Sequence, residues 1–599
     1  MRFLLNIVAA FLGVVVAFVF LLFLLLAFAA ASDPTPQVAA RSVLTLDLSG
    51  ALPETQPLDP LAEVFSGRTV TLHDVTEALE KAAVDRRIEA VWLRPTGLVA
   101  SWATAAELRR ALVAYRASGK PLYASPGDGG FSELGYYLAS AADSVFSPPE
   151  APFEMNGLFV ATPFFGGTLD RLGIEPVVVR AGDYKGAAET ITERGYSPEN
   201  REQVRALLDT FDGALRDAVA ASRPVTRQRL DEIVAAGGLY TARAAHAAGL
   251  LDGLRYEAET EAALRGLTRQ EAGDELRTVS LRRYARVPPA DAGVALGARE
   301  NRVVVVNAVG MILPGKTRSE GGVGEVLGSE TFVETLREAV HDTRTRAIVV
   351  RVDSPGGSAS ASDAMWAAVR DAATHHPVIV SMGTVAASGG YYLAAPAHAI
   401  VAEPTTITGS IGVISVFFDA TDFLDDRLGI TLDTLRTGPA AGLYAVGKPL
   451  TDLERELMEA QTAEIYRTFV ARVAEGRGLP VDSVLALGGG RVYAGQEALA
   501  LGLVDELGDL GHAVRLAAER AGLGDGEYRV RVLPEPRPLF ERIQESFGGR
   551  ASALAARYVA PAGASAEERF VLRQAALLAE AARLHGVPQM RLLAVPEIR

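Results

Sequence analysis

HHPVIVSMGTVAASGGYYLAA, residues 375–395, carries the signal around which the rest of the chain is arranged. An apolar, β-branched run at 378–381 gives way to Ser388, then to two glycines and an apolar helix-like segment beginning at Tyr391. A strand, a tight turn and a helix in that order expose a serine hydroxyl beside the N–H groups of a helix start, where developing negative charge is stabilised. Gly383 and the Gly389-Gly390 pair are the expected turns. The same Ala-Ser-Gly-Gly tetrapeptide also serves as a plain strand-to-helix connection, so its context decides.

That context is a repeat. YYLA occurs at 136–139 and again at 391–394, LGI at 172–174 and 428–430, and Gly249-Leu250-Leu251-Asp252 is echoed by Gly502-Leu503-Val504-Asp505. Nearly constant separations, in the same order, imply two tandem copies of one domain, at 42–285 and 300–538. Each begins with a β-rich run, SVLTLDLSG at 42–50 and RVVVVNAVG at 302–310. In the second copy helix-like stretches at 332–340 and 361–372 alternate with strand-like runs at 347–352, 378–381 and 399–402. This alternation predicts parallel β structure covered by helices, an α/β fold. Apolar residues at helical spacing predict a long amphipathic helix over 451–475 with a counterpart over 197–219.

The chain of 599 residues is too long for one ordinary core. Its net charge of −14 argues against nucleic acid as a partner, because phosphate binding needs concentrated Lys and Arg. Cysteine is absent, so disulfides, thiol nucleophiles and Cys-based metal sites are excluded. Residues 3–31 hold no charge and exceed the roughly 20 residues that cross a bilayer core, which predicts one transmembrane anchor over 1–32 in contact with lipid. A cleaved signal peptide is the competing reading, with Ala29-Ala30-Ala31 as its cut site, although its apolar core would be only about 7 to 15 residues. Arg2 places the N-terminus in the cytoplasm and everything after residue 32 outside it. A short Pro-, Ala- and Gln-rich linker fills 33–41. The tail at 539–599 has no counterpart in the first copy and carries a helix-like stretch at 567–585.

Aligned on YYLA, Glu133 stands opposite Ser388; aligned on LGI, Lys185 stands opposite Ala441. Each copy lacks what the other has, as expected after duplication and specialisation, and this points to one composite site. None of the eight histidines sits in a catalytic setting. Lysine serves as the base for a serine if burial lowers its pKa from about 10.4 toward neutrality. The plainer reading of Lys185 is a solvated lysine paired with Asp183 or Glu189. In Asp353-Ser354-Pro355-Gly356-Gly357 the paired glycines allow a backbone N–H to approach a ligand closely, whereas 94–97 of the first copy keep no such pair. Ser410, in TGSIGV at 408–413, either holds the lysine toward Ser388 or caps a turn.

DSPGG at 353–357, AASGGYYLA at 386–394, TGSIGV at 408–413 and GDYKGAAE at 182–189 together resemble the signal peptide peptidase A family in its long, duplicated form. The resemblance covers roughly residues 1–530. It implies two Clp-protease/crotonase-like domains behind one membrane helix, on the extracytoplasmic side of the bacterial inner membrane. It implies Ser388 as nucleophile, Lys185 as general base, Ser410 as the lysine's positioning partner, and N–H groups of Gly356 or Gly357 and of Gly389 as oxyanion donors. It also implies a bowl-shaped homotetramer, peptide substrates derived from cleaved signal peptides, and no metal or organic cofactor. Gly186 departs from the serine often found there.

An extended substrate is expected to pair with backbone at Gly383, Thr384 and Val385 and near the Ser-Pro-Gly-Gly loop. A crotonase-type acyl-CoA enzyme shares the paired glycines but explains neither the anchor nor the reciprocal loss of Ser and Lys. A catalytically silent envelope scaffold that binds apolar peptides is the rival from another class.

Overall fold

The computed structural model describes residues 36–58, 68–271, 273–295, 297–320, 324–535 and 589–591, together with Gly13 and Phe20. The expected membrane segment at 3–31 thus lies, but for those two residues, outside the described part. Among the described residues no helix is long and apolar enough to cross a membrane.

The first half builds β1 (Ser42–Asp47), α1 (Leu72–Val84), β2 (Ile88–Arg94), α2 (Trp102–Arg116), β3 (Leu122–Ala124), α3 (Glu133–Ala139), β4 (Ser144–Ser147), β5 (Glu175–Ala181), α4 (Pro198–Ser222), β6 (Gly253–Leu254) and β7 (Thr278–Ser280). Six of the strands form a parallel sheet in the order β6-β4-β3-β2-β1-β7. The strand β5 stands apart from it. Local chemistry sets the helix starts: a Thr71–Asp74 capping box opens α1, and Ser197 caps α4 with Pro198 in its first turn.

The second half builds β8 (Arg302–Val309), β9 (Met311–Leu313), β10 (Gly324–Gly328), α5 (Ser329–His341), β11 (Thr345–Ser354), β12 (Gly356–Ser358), α6 (Ala359–Ala373), β13 (Val378–Ala387), α7 (Gly389–Ala394), β14 (Ala399–Ala402), β15 (Ile407–Gly409), β16 (Val413–Asp419), α8 (Asp452–Arg477), β17 (Val492–Ala494), β18 (Glu506–Leu507), α9 (Leu510–Arg520), β19 (Arg529–Leu533) and β20 (Gln589–Arg591). Its main sheet contains the order β18-β14-β13-β11-β8-β19, strand for strand the order of the first half. Successive side chains point to opposite faces, so a sheet covered on both sides needs continuous apolar runs. Val304, Val306, Ile348 and Val350 accordingly pack on one side among α5, α6 and α7, while Val303, Val305, Ala347 and Val349 pack on the other against α9.

The expected long helices are present as α8 and α4, and the expected strand at 399–402 is β14. One expectation fails. Gly383 is not a turn: β13 runs on through it to Ala387, the residue before Ser388. The added length lets β13 pair with β14 through 379–382 and with β15 through 385–387.

A third sheet joins the halves. Residues Arg318–Glu320 lead to β10, β9, β12, β20, β16 and finally β5, the strand contributed by the first half. There β5 runs antiparallel to β16, with Ala181 opposite Val413. Val385, Ala387, Ile407, Val492 and Ala494 of the second half are buried in the apolar core of the first. The two copies therefore share a core as well as a sheet.

Candidate active site

Pairing of β5 with β16 fixes where the lysine goes. Ala181 is the last residue of β5, and four residues later Lys185 stands at the start of a short 3-10 turn at Gly186–Ala188. Ser410 lies three residues before β16 and belongs to the second half. The antiparallel register brings the two loops together: Lys185 Nζ contacts Ser410 Oγ at 2.8 Å and Ser410 O at 2.9 Å, and Ser388 Oγ at 2.8 Å. Lys185 is 1% exposed, while Ser388 and Ser410 are wholly buried.

Among the described residues no carboxylate pairs with the lysine. Asp183 and Glu189, the partners of the plainer reading, make no ion pair with it among the described residues; Glu189 instead accepts hydrogen bonds from Ser197 N, Ser197 Oγ and Asn200 Nδ2. Desolvation alone acts on the ammonium and pushes Lys185 well below the usual lysine range. A neutral amine has two N–H groups and one lone pair. In that form the contacts to Ser410 O and Oγ would be donations and the contact to Ser388 Oγ an acceptance from its hydroxyl.

Ser388 sits in a conformation that L-residues avoid, with φ 55° and ψ −115°. Its N–H donates to Gly409 O at 2.8 Å, and its carbonyl accepts from Tyr392 N at 2.8 Å. Ser410 is also left-handed, with φ 52°, and its N–H donates to Arg491 O at 2.7 Å. Each such residue costs on the order of 1–3 kcal/mol and persists only where its surroundings impose it. Both strained serines of this kind meet at one lysine. In the first copy Glu133 takes the serine's place and binds the N–H groups of Asn156 and Gly157, each at 2.7 Å.

Gly356 and Gly357 lie in β12, and Gly389 opens α7 immediately after Ser388. The Gly356 N–H donates to Ser354 Oγ at 3.2 Å, while Gly357 lies opposite Ile312 of β9 on one side and Met590 of β20 on the other. Gly383, Thr384 and Val385, expected to pair with substrate, are placed elsewhere. Val385 N donates to Asp353 Oδ1, Gly383 O accepts from Thr406 Oγ1, and Thr384 Oγ1 meets Ser101 Oγ of the first half. The backbone groups needed for strand pairing are engaged within the fold.

An extended segment does lie beside β12. β20, from the tail, runs antiparallel to β12 with Gly357 opposite Met590, and antiparallel to β16 with Ile414 opposite Gln589. It also lies against α7. The rest of the tail from 536, including the expected helix at 567–585, lies outside the described residues.

The sequence reading missed the glycine run Gly488-Gly489-Gly490. Tyr184 N donates to Gly489 O, and Gly490 N donates to Ile411 O, so this run is wedged between the lysine loop and the Ser410 loop. Three glycines just before a strand were the available signal. Their partners, distant in sequence, were not.

Comparison with protein-family models matches Peptidase family S49 twice, over 114–270 and 370–524. The chain is 34% identical over 494 residues to "Serine protease SPPA, chloroplastic" of Arabidopsis thaliana, covering 82% of this chain and 71% of that protein. It is 31% identical over 538 residues to "Protease 4" of Salmonella typhi, covering 86% and 84%. A solved structure of a ClpP1 mutant from Listeria monocytogenes overlaps 36% of this chain and 95% of that one, with 13% identity and a TM-score of 0.23.

An α/β sheet with a buried serine at a strand-to-helix turn, taken with these relatives, defines a serine peptidase. The chain belongs to peptidase family S49, with the family's domain present in two tandem copies.

Proposed function

We propose that this peptidase works through a Ser388/Lys185 dyad and degrades membrane-derived peptides, chiefly the remnants of cleaved signal peptides. The observation that carries the dyad is the 2.8 Å contact between Lys185 Nζ and Ser388 Oγ, where the lysine has no anionic partner among the described residues. Neutral Lys185 takes the Ser388 proton as Oγ bonds to the substrate carbonyl carbon. Gly357 N–H and Gly389 N–H hold the oxyanion, and the protonated lysine returns its proton to the leaving amine. Water then enters by the same route and releases the acid. Ser410 keeps the amine aimed at Ser388 through both halves of the cycle.

The position of β20 supports the way an extended peptide lies in the site: as one strand between β12 and β16, close to α7. The charge-free run at 3–31 supports an anchor in the inner membrane with both domains outside the cytoplasm. A relative from Enterococcus faecium is named "Putative signal peptide peptidase SppA", which favours signal-peptide remnants as the substrate. A homotetramer is supported by exposed apolar side chains along one segment, Leu428, Leu432, Leu435, Tyr444 and Val446.

The test is hydrolysis of an unstructured apolar peptide by the full chain and by Ser388→Ala and Lys185→Ala. Loss in both, with labelling of Ser388 by a fluorophosphonate abolished only where the site is broken, is the expected result. Retained hydrolysis in both variants would sink the dyad.

A further inference from the structure

Glu54 and Glu107 share one guanidinium, that of Arg351, and a third carboxyl group, Asp353, lies beside them. Arg351 of β11 donates to Glu54 through Nη2 at 2.6 Å and Nε at 3.2 Å, to Glu107 through Nη2 at 2.8 Å, and to Ser381 Oγ through Nη1 at 2.9 Å. Asp353 follows two residues later, on the same face of β11. It makes no ion pair with Arg351 among the described residues. A β-carbon on Gly383 would stand 3.3 Å from Asp353 Cγ and 3.2 Å from Glu54 Oε1, so both carboxyl groups border that glycine, and the charge of Glu54 acts on Asp353. Arg110 is committed to Glu403 at 2.8 Å and Asp509 at 3.3 Å, and Glu403 adds further negative charge beside Glu107.

Three carboxylates around one guanidinium would leave two negative charges that the guanidinium does not balance. A desolvated group in that position keeps its proton instead. Burial pushes both Asp353 and Glu107 up to about 7.

The cluster is placed where it bears on the reaction. Pairing of β11 with β13 runs regularly to Val352 opposite Met382 and then slips, so that Ser354 lies opposite Ala386. Gly383, Thr384 and Val385 form the resulting bulge, the irregularity that aims the end of β13 at Ser388. Asp353 Oδ1 accepts the Val385 N–H at 3.0 Å within that bulge. Asp353 also opens the Asp-Ser-Pro-Gly-Gly loop that ends at Gly357. One side chain thus ties the strand that ends at the nucleophile to the strand that leads into the oxyanion loop.

We propose that Asp353 is a positioning residue whose carboxyl, set beside Glu54 and Glu107 around Arg351, holds the bulge and so sets the alignment of Ser388 with Gly357. That carboxyl accepts the Val385 N–H. Loss of the proton sets two carboxylates against each other across Gly383 and loosens the bulge. Activity therefore falls on the alkaline side as the cluster ionises, in opposition to the gain from neutral Lys185.

This rests on the Ser388/Lys185 reading, and the two fail in different experiments. kcat and KM are measured from pH 5 to 9 on an uncharged apolar peptide with the full chain and with Asp353→Asn, Asp353→Ala and Glu107→Gln. Asn reproduces the protonated carboxyl, so D353N retains kcat at pH 6 and loses the alkaline fall. D353A strands the Val385 N–H and lowers kcat about 100-fold with little change in KM. E107Q removes one negative charge and moves the alkaline fall to higher pH. An alkaline fall that persists unchanged in D353N and E107Q overturns the proposal, as does equal loss in D353N and D353A. Hydrolysis by Ser388→Ala overturns the dyad instead.

Discussion

Gly490 is pressed against Lys185: a β-carbon at position 490 would stand 2.6 Å from the Cβ of Lys185 and 2.7 Å from its Cα and N. The backbone there is left-handed as well, with φ 86°. The lysine is thus held from below by a segment more than 300 residues away in the chain. Gly490→Ala must displace the lysine loop, and a shift of about 1 Å in a reacting group costs on the order of 100-fold in rate. Expected is a matching loss in kcat, with KM for a short apolar peptide little changed and far-ultraviolet dichroism intact. Wild-type kcat in G490A would remove the wedge from the account.

Lysine acts as a base only when neutral. Burial lowers its folded pKa, so the neutral fraction rises with pH through that lowered value and is complete well before the ordinary 10.4. The acid limb of kcat/KM is therefore expected to report Lys185. Lys185→Arg keeps a charge at every accessible pH. A loss of about 10²–10⁴-fold with no recovery at alkaline pH is expected, checked by progress curves from pH 6 to 10.

The acid cluster makes an opposite mark on stability. Asp353 and Glu107 are raised to about 7 in the folded chain, against about 4 when unfolded. Between those values the folded state holds more protons than the unfolded one. Stability therefore falls as pH rises from about 4 to 7 and levels off above that. The decline between pH 5 and 8, followed by thermal unfolding, is expected to be shallower in Asp353→Asn than in the wild-type chain. Equal slopes would leave Asp353 with an ordinary carboxyl.

β20 and an extended substrate would compete for the same backbone edges of β12 and β16. A chain ending after residue 535 is expected to show a lower KM for a peptide of six or more residues. Adding a peptide spanning 586–594 in trans should restore the inhibition. An unchanged KM on truncation would show that the tail does not compete.

Leu435 is 99% exposed, and Leu428 and Leu432 are each 55% exposed in the same segment. Leu435→Asp with Leu432→Asp is expected to reduce the assembled mass in light scattering while each chain keeps its folded spectrum. An unaltered mass would move the subunit contact elsewhere.

The chain's own sequence was enough for the repeat, the alternation of strand and helix, the long helices over 197–219 and 451–475, and the choice of Ser388, Lys185 and Ser410 as candidates. Those features are local: apolar period, turn glycines and reciprocal substitution between copies are all written along the chain. Tertiary structure alone decided that Lys185 meets Ser388, because that contact depends on β5 leaving its own half to pair with β16. It alone showed that Gly383 is part of a bulge and not a turn, since the slip in register exists only once β11 and β13 have paired. It alone exposed the Gly490 wedge, whose short distances exist only after distant loops have packed. A sequence records which side chains are available, whereas burial, and with it the lowered lysine pKa and the raised carboxyl pKa values, belongs to the folded chain.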